Sequence, residues 1–222
     1  MTNLFSSFNP STFPILSLNW VSSLLIMILV PHMFWFIPSR INFIWNFIIS
    51  LMHKEFVILI KPKIKKGSTL IFSSLFIIIM INNFMGLFPY IFTCSSHLNF
   101  SLTLSLPLWL SLMILSWSKN TIQMLAHLVP QGAPNTLLPF LVIVETISNL
   151  IRPGTLAIRL TANMIAGHLL ITLLSNIGSS LTIIPLTFLI LVQILLLILE
   201  SAVAIIQSYV FSILLALYSS EI

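Results

Sequence analysis

Five ionisable side chains stand inside the apolar carboxy-terminal part of this chain: Glu145, Arg152, Arg159, His168 and Glu200. At the centre of a bilayer a charged side chain costs at least ~2.5 kcal/mol on insertion scales, so each needs a reason to be there. His and Glu titrate near working pH and relay protons. Arg is never deprotonated in practice, so it blocks proton hopping while holding a fixed positive charge. Titratable groups on either side of a permanent cation describe two half-paths that must not connect. Such a device needs a moving carboxylate to carry protons past the cation. The chain offers no such carrier, so a partner has to supply it.

The spacing places these groups on helix faces. Glu145, Asn149, Arg152, Arg159 and Asn163 recur at three-, four- and seven-residue intervals, which lines them along one side of a helix. Gln193, Glu200 and Gln207 form a second stripe at intervals of seven. If the two stripes belong to an antiparallel hairpin, level residues share a constant sum of residue numbers. Arg159 with Gln207 gives 366, and His168 with Glu200 gives 368. The pairs therefore fit one register, with a second polar layer ~13 Å from the first along the helix. Glu145 lies ~21 Å from Arg159 in the opposite direction. Two alternatives stay open at this point. Glu145 and Arg152 are seven apart and could simply neutralise each other, and Arg159 could pair with Glu200. Asn163 and Gln207 could be ordinary interhelical hydrogen-bonding groups, and Gly167 could serve only close packing.

The elements that position these groups can be read from hydropathy and breakers. Residues 15–37 are long and apolar enough for a first membrane helix, with Pro31 as a kink. Residues 39–60 alternate at helical spacing. Asn42, Asn46, Ser50, His53 and Lys54 fall on one side, and Trp45, Ile48, Ile49, Met52 and Phe56 on the other, which predicts an amphipathic helix at the membrane interface. The basic run Lys61 to Gly67 follows. Residues 69–117 read as a helical hairpin turning near His97 and Asn99, with Asn82 and Asn83 expected to pair with neighbouring helices. HLVPQGAP, from His127 to Pro134, breaks helix. Residues 135–218 then form a hairpin interrupted at Pro153-Gly154, turning near Gly178, with the return helix starting at Pro185. Its first arm of 42 residues would extend ~63 Å, against a bilayer core of ~30 Å, so it must tilt strongly. The predicted fold is all-α: a single polytopic membrane domain over 1–222 with about five membrane helices, one interfacial helix and a long tilted hairpin.

Composition agrees with a lipid solvent. Hydrophobic residues make up 58% of the 222 residues and charged residues 6%, against about a quarter charged in soluble domains. Net charge is +5, but six of the nine basic residues lie between Arg40 and Lys66 beside apolar spans. That placement sets topology and does not build a nucleic-acid groove. It puts residues 40–66 and 119–134 on the inner side, and the turns near His97 and Gly178 outside. Cys94 is alone, so no disulfide within the chain is expected, and a thiolate metal site is not either. No basic residue precedes Arg40, so no import or secretion signal is expected.

Four strings carry a family resemblance. IRPGTLAIRLTANMIAGH (Ile151 to His168) and ESAVAIIQSYVF (Glu200 to Phe211) resemble the signatures of the a-subunit family of rotary F-type ATP synthases. FMGLFPY and HLVPQGAP resemble its mitochondrial members. The resemblance covers nearly the whole chain. It implies a stator proton channel in the mitochondrial inner membrane, with no catalytic site or cofactor of its own. Residues 135–218 would then face a rotor c-ring, whose carboxylates receive and return protons through two offset half-channels. Arg159 matches the arginine that attracts the ring carboxylate and separates the half-channels. His168 and Glu200 match the outer half-channel pair, with residue types exchanged relative to bacterial members. Asn163 and Gln207 match polar residues beside the arginine, and Glu145 a carboxylate near the inner half-channel. The implied partners are the ring, the peripheral stalk, other membrane-sector subunits and the bilayer. At an effective dielectric of 20, charges ~4 Å apart attract by ~4 kcal/mol, so Arg159 should lack a tight permanent partner of its own.

Three other classes compete. A secondary transporter would usually show repeated halves with paired broken helices, and the hairpin has only one Pro-Gly break. A haem protein would need axial histidines, whereas the five here are scattered. An assembly scaffold is separated from a channel only by measuring proton flux.

Overall fold

The structure, a computed structural model, describes residues 4–12, 17–24, 28–32, 34–60, 67–119, 121–129, 134 and 136–221, with the side chains of Gln123, His127 and Glu221 outside the description. The described residues are helical and contain no strand. Helix α1 spans Arg40–Leu59, α2 Ser68–Gly86, α3 Leu98–Lys119, α4 Thr121–His127, α5 Leu138–Gly178 and α6 Ile183–Glu221. Short 3-10 turns occupy Leu4–Phe8, Leu18–Leu24 and Cys94–Ser96. Among the described residues, four helices are long and apolar enough to cross a membrane: α2, α3, α5 and α6.

The predicted first membrane helix, 15–37, lies partly outside the described residues. Within it, Leu18–Leu24 is a 3-10 turn, and the described residues from 30 to 39 are not helical. Pro31 and Pro38 lack the N–H that a helix interior requires. Much of the basic run Lys61 to Gly67 and of HLVPQGAP is likewise outside the described residues.

Ser39 starts α1 by accepting the Asn42 N–H on its side chain. Trp45, Ile48, Ile49, Met52 and Phe56 turn toward the bundle, as their spacing predicts. The other side is less polar than expected, because Ile44, Phe47, Leu51 and Ile58 are exposed there. Gly67 enters α2 at φ 106°, a conformation that L side chains rarely adopt.

α2 packs against α6, α3 against α5, and α5 against α6, while α1 lies across α2 and α6. One core forms where α1 ends, α2 begins, and α5 and α6 pass: Phe56, Phe72, Leu75, Ile79, Leu156, Leu160, Phe211 and Leu215. The sequence of α6 allows this close approach. Ala204, Ser208, Ser212 and Ala216 recur every four residues, followed by Ser219, and all five are buried. Ser208, Ser212 and Ser219 donate their hydroxyls to carbonyls three residues back, so they present small, nearly apolar surfaces. In lipid, such small-residue seams let backbones approach without a hydrophobic drive between helices.

Three expectations need correction. α5 is not interrupted at Pro153-Gly154 and runs through 41 residues. Proline leaves the Asn149 carbonyl without its backbone donor. In membrane helices the neighbours absorb that loss, and here Pro153 is buried in the inward stripe with Leu156, Ala157, Leu160, Thr161 and Met164. The return helix begins at Ile183, which puts Pro185 in its first turn, where a missing N–H costs no helical bond. Asn83 is fully buried, yet neither amide atom has a hydrogen-bond partner among the described residues. At ~1.5 Å per residue α5 and α6 extend ~60 Å each, twice the ~30 Å hydrocarbon core.

Candidate functional site

Two contacts fix the register of the α5–α6 hairpin. A Cβ built on Gly178 would touch Leu189 at 3.9 Å, and one built on Gly167 would meet Glu200. In both pairs the residue numbers add to 367, between the 366 and 368 read from the polar stripes. Position 159 therefore stands level with position 208, one residue from Gln207, which is half-buried.

The inward stripe of α5 decides where its charges point. Leu156, Ala157, Leu160, Thr161 and Met164 are buried against the bundle. Arg159 and Asn163 lie away from that stripe and are exposed. Arg159 makes no hydrogen bond or ion pair among the described residues, so it does not pair with Glu200. An ion pair joins Arg152 Nη2 to Glu145 Oε1 at 3.7 Å. Arg152 also lies over the Tyr218 ring of α6, 4.7 Å from its centroid, an arrangement that favours a cation.

Toward the hairpin turn a cleft of about 250 Å³ opens between α5 and α6. Asn163, Gly167, His168 and Glu200 line it, with Leu87 and Met164 on the bundle side. The carboxylate of Glu200 rests against the bare Cα of Gly167. A Cβ there would stand 2.7 Å from Glu200 Cδ and 3.2 Å from Cγ, and closer still to Oε1. Both Glu200 oxygens and His168 Nε2 are buried without a hydrogen-bond partner among the described residues. Buried polar atoms are normally paired, so the three atoms in this cleft are open to further hydrogen-bond partners. A carboxylate and an imidazole so placed can take up and pass on protons. Among the described residues no three His, Cys, Asp or Glu side chains gather as a metal site would require.

The structure thus brings His168, Glu200 and Asn163 to one cleft, leaves Arg159 exposed on the outer side of α5, and places Glu145 apart from both, on Arg152. Sequence reasoning offered Gly167 only as a close-packing residue, and it did not find Phe8. Phe8, whose ring stands edge-on to His168 with centroids 6.3 Å apart, is 160 residues away in sequence.

Glu145→Gln is expected to change proton-coupled turnover less than about fivefold, since a partly exposed ion pair contributes ~1 kcal/mol or less. Turnover of the assembled complex in vesicles measures it. A much larger loss would put the carboxylate on a proton path.

Comparison with known proteins bears on these residues together. The family model described as ATP synthase A chain matches residues 15–220. The ATP synthase subunit a of Drosophila melanogaster is 60% identical over 222 residues, covering 100% of this chain and 99% of the relative. Those of Locusta migratoria and Aedes aegypti are 60% identical over 223 and 224 residues, with the same coverage.

Proposed function

Since the chain belongs to the ATP synthase A chain family, and is thereby a multi-pass subunit of the ATP synthase membrane sector, we propose that it is the stator proton channel of that enzyme. Protons pass through two offset half-channels to and from carboxylates on a rotor ring, and the ring's rotation drives ATP synthesis elsewhere in the complex. Its own part is translocation, not catalysis. The setting is the mitochondrial inner membrane, with the c-ring, the peripheral stalk and other membrane-sector subunits as partners.

The observation that carries this reading is an exposed arginine with no partner among the described residues, on the helix whose later turns hold the orphaned His168 and face the orphaned Glu200 of α6. Arg159 is a cation available to a partner's carboxylate. Attraction of ~4 kcal/mol at contact lowers that carboxylate's proton affinity as it passes. His168 and Glu200 form the outer half-channel, exchanging protons with the ring through the cleft. Asn163 and Gln207 supply neutral hydrogen-bonding groups beside the arginine. Glu145 reaches the inner half-channel only if its pairing with Arg152 opens. Histidine relays protons and contributes little to sodium binding, which favours protons as the cargo.

Passive proton conduction by the assembled membrane sector, freed of its catalytic head and held in vesicles, tests this. Glu200→Gln and His168→Gln should each bring conduction toward that of protein-free vesicles. Normal conduction in both variants would leave the chain a scaffold.

A further inference from the structure

We infer that Phe8 is a positioning residue for His168, carried there by an amino-terminal strap. The 3-10 turn Leu4–Phe8 lies against α5. There the Phe8 and His168 rings meet at 90°. This T-shaped arrangement is one that aromatic pairs prefer, and it is directional in a way that aliphatic packing is not. The imidazole has one other hold, a hydrogen bond to the Gly86 backbone. It lines the cleft, and its Nε2 has no partner among the described residues.

The strap is itself tied down. The Phe8 carbonyl lies 2.9 Å from His97 Nε2. A carbonyl only accepts, so Nε2 must carry the proton and donate. His97 packs in a three-ring cluster with Trp20 and Phe92, its centroid 5.2 Å from each and theirs 5.9 Å from one another. The Asn19 amide donates to the Asn9 carbonyl, and the Ser22 hydroxyl donates to the Phe92 carbonyl. A chain of contacts therefore runs from the 91–97 loop through His97 and the Phe8 backbone to the Phe8 ring and His168. The pattern fits a device that fixes an imidazole's orientation at the end of the cleft. Plain filler would not need its backbone pinned at the residue that makes the contact.

This inference rests on the proton role of His168, and the test separates the two. Phe8→Ala, Phe8→Leu and Phe8→Tyr are compared in the assembled complex in vesicles. ATP-driven acidification is one readout. Deuterium exchange at the His168 C2–H, followed by mass spectrometry, is the other and needs no activity. Phe8→Ala and Phe8→Leu should slow acidification roughly threefold to tenfold, the range an edge-on aromatic pair supports. Both should also change the exchange rate of His168, and Phe8→Tyr should restore both readouts. In a His168→Gln background Phe8→Ala should add nothing. An unchanged His168 exchange rate in Phe8→Ala, or a Phe8→Leu variant indistinguishable from the parent, overturns the inference. Normal acidification in His168→Gln alone overturns the proton role instead, and the exchange rate then still decides whether Phe8 sets the imidazole.

Discussion

Arg159→Gln should stop ATP synthesis in vesicles while the complex still assembles. The folding cost is small because Arg159 points away from the bundle. Leu156, Ala157, Leu160 and Thr161 hold that part of α5, and the arginine makes no hydrogen bond or ion pair among the described residues whose loss would strand a partner. The functional cost is large. Removing an attraction of ~4 kcal/mol on a passing carboxylate corresponds to about a thousandfold in rate. Arg159→Lys keeps the charge, but its ammonium is a compact, strongly hydrated point that loses its proton more readily in apolar surroundings. It should therefore restore only part of the activity. Passive proton leak through Arg159→Gln adds a second readout. A raised leak would show that the cation also seals one half-channel from the other. Synthesis at a near-normal rate with assembly intact would remove the arginine from the mechanism, and the two-half-channel reading with it.

What the sequence discloses here divides along a physical line. The polar stripes are legible because a charge in an apolar helix is expensive, so its position carries information. The hairpin register follows from them within a residue, and the Gly167–Glu200 and Gly178–Leu189 contacts occupy it. The Glu145–Arg152 pair is legible as one of two options, since residues seven apart lie on one face and arginine is long enough to reach back. Pro153 misleads because the rule that proline ends helices is strongest in water. In lipid, an open backbone has no solvent to turn to, and the helix continues. The Arg152–Tyr218 and Phe8–His168 contacts leave no trace in the sequence. Each joins residues more than sixty positions apart through neutral aromatic rings, and a phenylalanine costs nothing at membrane depth. α1 shows the same limit, since exposed Ile44 and Phe47 satisfy lipid or a partner subunit equally well.

Gly167→Ala should reproduce much of the loss expected from removing the Glu200 carboxylate, with that carboxylate still present. The added methyl would fall within 3 Å of Cδ and nearer to Oε1, so the side chain must leave its place. Overpacking of this kind costs ~1–3 kcal/mol, which corresponds to a loss of proton flux between about fivefold and somewhat over a hundredfold. A general weakening of α5 is not the cause, because alanine is a better helix former than glycine by ~1 kcal/mol. The propensity gain offsets part of the overpacking cost, so the variant should still assemble and yet conduct poorly. Glu200→Asp supplies the second half of the argument. An acid one methylene shorter draws back from the new methyl, so Gly167→Ala with Glu200→Asp should conduct better than Gly167→Ala alone. That non-additive recovery is the sign of two groups in direct contact. Equal flux in Gly167→Ala and the parent would mean that protons cross this cleft without the carboxylate at its observed position, and that the glycine serves packing alone.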